Sequence, residues 1–95
     1  MEANGNQNYG LEYILEPGKQ QAIVHFTLPH TTAVILKIMN AQNKEVRVLL
    51  NELLTAGSYQ SVFSFGKLDP GDYTIKLIVQ TENIIDINSL TIQIP

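Results

Sequence analysis

The sequence contains no cysteine, which excludes a disulfide framework, a thiol nucleophile and any zinc site built on cysteine. Bases are scarce as well, with 6 Lys and Arg against 9 Asp and Glu and a net charge of −3. That balance argues against nucleic-acid binding and against steering to anionic membranes. The four Tyr and three Phe are not interleaved with bases, so the sequence offers no stacking platform for nucleic acid. No apolar run approaches the roughly 20 residues of a spanning helix, and no basic start leads into an apolar secretory signal. The six glycines stand singly, so there is no phosphate-cradling loop.

What is present suits one small folded domain. In 95 residues, 44% are apolar and 16% charged, more apolar and less charged than a disordered chain. Residues 1–10 are polar and read as a flexible N-terminal segment or linker, with residues 11–95 as the domain. The chain is expected to be a piece of a longer secreted protein; a free-standing chain would be cytoplasmic.

From Leu11 onward, short apolar segments alternate with turn signals. Leu11–Leu15 reads as a first strand and Glu16-Pro17-Gly18-Lys19 as a turn. In Gln21–Leu28, Ala22, Val24, Phe26 and Leu28 share one face, and Pro29 ends the strand. Val34, Leu36 and Ile38 point inward in the next strand, followed by a hairpin loop over Asn40–Lys44 in which Asn43 tolerates a left-handed backbone. Glu45–Leu50 returns as a strand, followed by a less regular stretch over Asn51–Ala56. The spacing of Val46, Leu49, Leu50, Leu53 and Leu54 also suits a helix, but β-branched residues crowd the rest of the chain and favour strand. Tyr59, Ser61, Phe63 and Phe65 then share a face, as do Tyr73, Ile75, Leu77 and Val79. After a turn at Thr81-Glu82-Asn83, Ile84–Ile94 supplies a last strand or two. About seven short strands at this spacing predict an all-β antiparallel sandwich or a barrel.

Leu68-Asp69-Pro70-Gly71-Asp72-Tyr73 sharpens that reading. It resembles the tyrosine corner of immunoglobulin-like sandwiches, in which a Tyr at the start of a strand bonds back to the upstream backbone. Leu68, Pro70, Gly71 and Tyr73 are therefore read as a structural corner, and Tyr73 as a structural rather than a catalytic phenol.

Residues for chemistry are sparse. His25 shares the outward face of its strand and is expected to meet solvent, while His30 follows Pro29 in a loop. Neither has a His-x-His or Glu-x-x-His companion, so no metal site is expected. Ser58, Ser61, Ser64 and Ser89 carry no nucleophile-elbow motif. Asp69 and Asp72 flank a turn, where Asp serves the backbone. The reading is of a protein that is not an enzyme and has no cofactor. Ile23, Ile35 and Met39 fall on the nominal outer faces of neighbouring strands and form a candidate apolar interface. The uncharged segment Asn88–Ile94 would be a template for strand addition if it lay at an edge.

Taken together, residues 16–94 resemble a known family, the immunoglobulin-like C-terminal sorting domain of proteins exported by the bacterial type IX secretion system. They are similar also to the immunoglobulin-like domain of the flagellar hook-capping protein. The matching pieces are Phe26-Thr27-Leu28-Pro29, Val34-Ile35-Leu36-Lys37-Ile38-Met39-Asn40, Glu45-Val46 with Leu49, Ala56-Gly57-Ser58-Tyr59 with Phe63, and Leu68-Asp69-Pro70-Gly71-Asp72-Tyr73 with Leu77. The resemblance implies a seven-stranded immunoglobulin-like (fibronectin III-like) sandwich at the end of a larger cargo that is secreted or anchored at the cell surface. It also implies recognition through the last strands, with Leu90, Thr91, Ile92, Gln93 and Ile94 as the candidate recognition strand. Two features depart from the family pattern. Asn43 stands where a Gly is usual, and no Lys or Arg occurs from Ile78 to Pro95, with Asn88, Ser89 and Gln93 at the family's basic positions. The partner expected is protein, either outer-membrane secretion machinery or the parent cargo, with neither nucleic acid nor membrane insertion. The alternative is an accessory structural or adhesive module that associates with other proteins or with itself as a homo-oligomer.

Overall fold

The structure is a computed structural model and describes residues 9–95. Most of the proposed N-terminal segment, residues 1–8, lies outside the described residues. Its last two residues are corrected into the domain: Tyr9 is part of the core, and its carbonyl accepts a hydrogen bond from the Thr27 amide.

Seven strands account for most of the described chain: β1 (Glu12–Glu16), β2 (Gln21–Leu28), β3 (Thr32–Asn40), β4 (Glu45–Leu54), β5 (Gly57–Ser64), β6 (Gly71–Gln80) and β7 (Ile85–Ile94). All pairings are antiparallel. One sheet has the order β1-β2-β5 and the other β4-β3-β6-β7. Their inner faces form one core, with Val24, Phe26, Leu28 and Phe63 from the first sheet and Leu36, Ile38, Ile75, Leu77 and Ile92 from the second. This is the sandwich arrangement in which alternate residues of each strand interdigitate.

The strand bounds follow local chemistry. Pro17–Lys19 forms one turn of 3₁₀ helix, closed by Gln20 in a left-handed conformation (φ 52°). Pro29 lacks the N–H needed to continue β2 in its ladder. Across this connection the chain passes from one sheet to the other, so β2 and β3 follow one another in sequence but do not pair. At the β3–β4 hairpin, Asn40 Oδ1 accepts from the amides of Gln42 and Lys44 (2.9 Å each), and Asn43 has φ 63°. Asparagine tolerates that conformation through local hydrogen bonding.

The helical alternative over Glu45–Leu54 gives way to strand. β4 pairs along β3 with two register shifts, between Leu36 and Lys37 and between Ile38 and Met39. These leave Leu49 and Val46 unmatched, and each extra residue changes the side-chain parity. An apolar spacing that reads as helical is therefore an alternation interrupted twice. The final segment forms a single strand, β7, rather than two.

Candidate functional site

Counting back along β7 from the buried Ile94 and Ile92 by twos reaches Leu90, Asn88 and Asp86. The inward face of this strand thus begins with a carboxylate. Asp86 is 7% exposed and pairs in register with Val79 of β6. The Tyr9 hydroxyl donates to Asp86 Oδ2 at 2.5 Å, the short distance of a hydrogen bond to an ionised acceptor. Burial, together with this bond and the charge of Asp86, pushes the Tyr9 phenol up to about 12. The neutral donor form is therefore the one held in place.

These two residues lie in a cavity of about 130 Å³ at one end of the sandwich. Its floor is Tyr9, Thr32, Val79 and Asp86, all buried; its rim is Pro29, His30, Thr81 and Ile84, all exposed. The N-terminal approach to β1, the β2–β3 connection and the β6–β7 turn thus converge on one acidic group. The Thr32 hydroxyl donates to the Gln80 carbonyl at 2.8 Å and ties β3 to β6 beside the cavity. Among the described residues, no Lys or Arg forms an ion pair with Asp86. Among the described residues, the cavity sets a carboxylate with spare acceptor capacity beside apolar Pro29, Val79 and Ile84 and polar His30, Thr32 and Thr81.

Among the described strands β7 lies at the edge of its sheet, paired with β6. Within the candidate recognition strand, Ile92 and Ile94 are core residues, Leu90 is half-buried, and Thr91 and Gln93 face outward. Ile85 and Ile87 are exposed on that same outward face, because the parity that buries Asp86 turns them out.

The grouping of Ile23, Ile35 and Met39 is corrected. Ile23 lies on the outer face of the three-stranded sheet, in register with Ile14 and Val62. Ile35 and Met39 belong to the other sheet, and Met39 is buried at the second bulge. The cause is the crossing at Pro29, which places β2 and β3 on opposite sides of the core. Ile35 is joined instead by Ile78 and Ile87 in one cross-strand row. Leu53, Ala33 and Ile85 stand in the adjacent row, with Gln80 between the last two.

At the corner, the Tyr73 hydroxyl donates to the Asp69 carbonyl at 2.6 Å. Leu68 packs half-buried against the core, Pro70 is exposed, and Gly71 has φ 146°. That is a conformation open to glycine and strained for other residues. His25 departs from its expected solvated position. It is half-buried between Glu12 of β1 and Gln60 of β5, and its Nδ1 is buried with no hydrogen-bond partner among the described residues. Among the described residues, no group of three or more His, Asp or Glu is placed to hold a metal. No described helix is long and apolar enough to cross a membrane.

Tyr9 and Asp86 were not singled out by the sequence. The strand parity of Ile94, Ile92 and Leu90 is the signal that would have found Asp86; nothing local marks Tyr9. Compared with protein-family models and with curated proteins, the chain matches none.

Proposed function

We propose that this chain is a non-catalytic, immunoglobulin-like sandwich module of a larger exported protein, acting as a sorting domain read by secretion machinery through its last strand. The observation that carries the reading is β7: a ten-residue strand at the edge of its sheet among the described strands, with no Lys or Arg and with outward Thr91 and Gln93. From Asn88 to Ile94 this edge is uncharged, and an uncharged edge accepts an added strand through main-chain hydrogen bonds, whereas natural edges are often blunted by lysine. The sheet orders and the Tyr73–Asp69 bond support the immunoglobulin-like part of the proposal. The resemblance in the sequence supports the type IX assignment.

The test fuses the chain to the C-terminus of a carrier in a bacterium with a type IX system and measures carrier at the cell surface. Export is expected, with a severalfold loss when Thr91 and Gln93 are both replaced by Lys and the domain still melts cooperatively. A carrier retained inside the cell behind a folded domain would overturn the assignment.

A second reading, an adhesive or self-associating module, is favoured by a different observation. The outer face of the four-stranded sheet carries Ile35, Ile78 and Ile87 in one row and Leu53 and Ile85 in the next. Leu53 is 73% exposed. Ile85 and Ile87 are exposed too, beside half-buried Ile35 and Ile78, and clustered apolar surface of this kind marks association surfaces.

A further inference from the structure

From the end cavity we infer a site outside the edge-strand reading: a socket for a guanidinium group on an apolar stem, such as the arginine side chain of a protein partner, with Asp86 as its counter-ion. The first support is charge. An ionised carboxylate at 7% exposure is costly unless it is paired and hydrogen-bonded. Among the described residues, Asp86 has one neutral donor, the Tyr9 hydroxyl, and no cation. A carboxylate has about four acceptor positions, so the Tyr9 bond leaves capacity for a further donor.

The second support is shape. The cavity is about 130 Å³, room for a charged head and part of its stem. Pro29, Val79 and Ile84 supply apolar wall along the way to Asp86. An arginine stem lies against such a wall while its head reaches the acid. Guanidinium is more weakly hydrated than ammonium and stacks on flat rings, and the rings of Tyr9 and His30 both line the cavity. A lysine head would lose more hydration on entering and gain less from these surfaces. The third support is access: the rim residues are exposed while the acid is not, so a side chain can enter without opening the sandwich.

The experiment titrates the ¹⁵N-labelled full chain with Nα-acetyl-arginine amide and follows the amide signals of Val79, Thr81, Ile84 and Asp86. Saturable shifts confined to this end are expected. The neutral isostere Nα-acetyl-citrulline amide should bind at least about tenfold more weakly, since it keeps the shape and loses the charge. Asp86→Asn, which retains an oxygen to accept from Tyr9, should reduce arginine binding by a similar factor. Absence of saturable shifts, or equal binding of the arginine and citrulline probes to the unaltered chain, would overturn the proposal without relying on any variant. Methylguanidinium binding as tightly as the arginine probe would also overturn it, by showing that the stem contributes nothing and that the site takes a free cation.

Discussion

Asp86 and Tyr9 act as a pair whose strength depends on one proton. A tyrosine in an unfolded chain titrates near 10, and Tyr9 in the fold titrates at about 12. Because the folded value is the higher one, folding favours the protonated phenol. The contribution of this contact is therefore complete below pH 10 and drains away as the pH rises through 12. Tyr9→Phe leaves the buried carboxylate without its donor and should cost about 1.5–3 kcal/mol at neutral pH. Urea midpoints of the two proteins should converge between pH 10 and 12, and a gap that stayed constant across this window would mean that the phenol proton is not what the fold holds. His25 is the opposite case at this scale, a buried nitrogen with no partner among the described residues, and its half-buried position follows from neighbouring strands that a single-strand pattern does not reveal.

At the scale of elements, β7 and β4 show what a strand pattern can and cannot carry. The alternation of Leu90, Ile92 and Ile94 is plain in the sequence and fixes the inner face of the second half of β7. The first half inverts the usual polarity, with Asp86 and Asn88 inward and Ile85 and Ile87 outward, so hydrophobicity alone points the wrong way there. β4 hides its parity for another reason, since two bulges place Leu49 and Leu50 at similar burial on successive positions. Adjacent substitutions in β7 separate its faces. Ile92→Lys buries an unpaired ammonium at a site 1% exposed and should cost about 3 kcal/mol or more. Thr91→Lys, one residue earlier and facing solvent, should remain within about 0.5 kcal/mol of the parent. Thermal melts of the two proteins read the difference directly, and similar losses in both would contradict this assignment of faces.

For the whole molecule, fold class was legible because most core positions alternate in clean runs: Ala22 to Leu28, Val34 to Ile38, and Tyr73 to Val79. Which strands share a sheet was not legible, because Pro29 marks an end without indicating whether the chain turns back or crosses over. That ambiguity makes Ile23 and Ile35 look like neighbours in the sequence, whereas the row of Ile35, Ile78 and Ile87 follows only from the pairing register. If that row drives self-association, sedimentation of the unaltered chain should show a concentration-dependent dimer. Ile87→Lys should abolish the dimer, while Ile23→Lys, on the opposite sheet, should leave it intact. A monomer at every concentration would dismiss the surface as an interface between copies.

The Tyr9–Asp86 bond joins residues 77 positions apart, close to both ends of the described chain. During synthesis, or during threading through a pore from the N-terminus, Tyr9 emerges long before its acceptor exists in space. The first hairpin can form early, but the end cavity cannot close until β7 has arrived and paired with β6. The cavity is thus a mark of completion: a binding partner that requires it would engage only chains that have finished emerging and folded, and would pass over truncated ones.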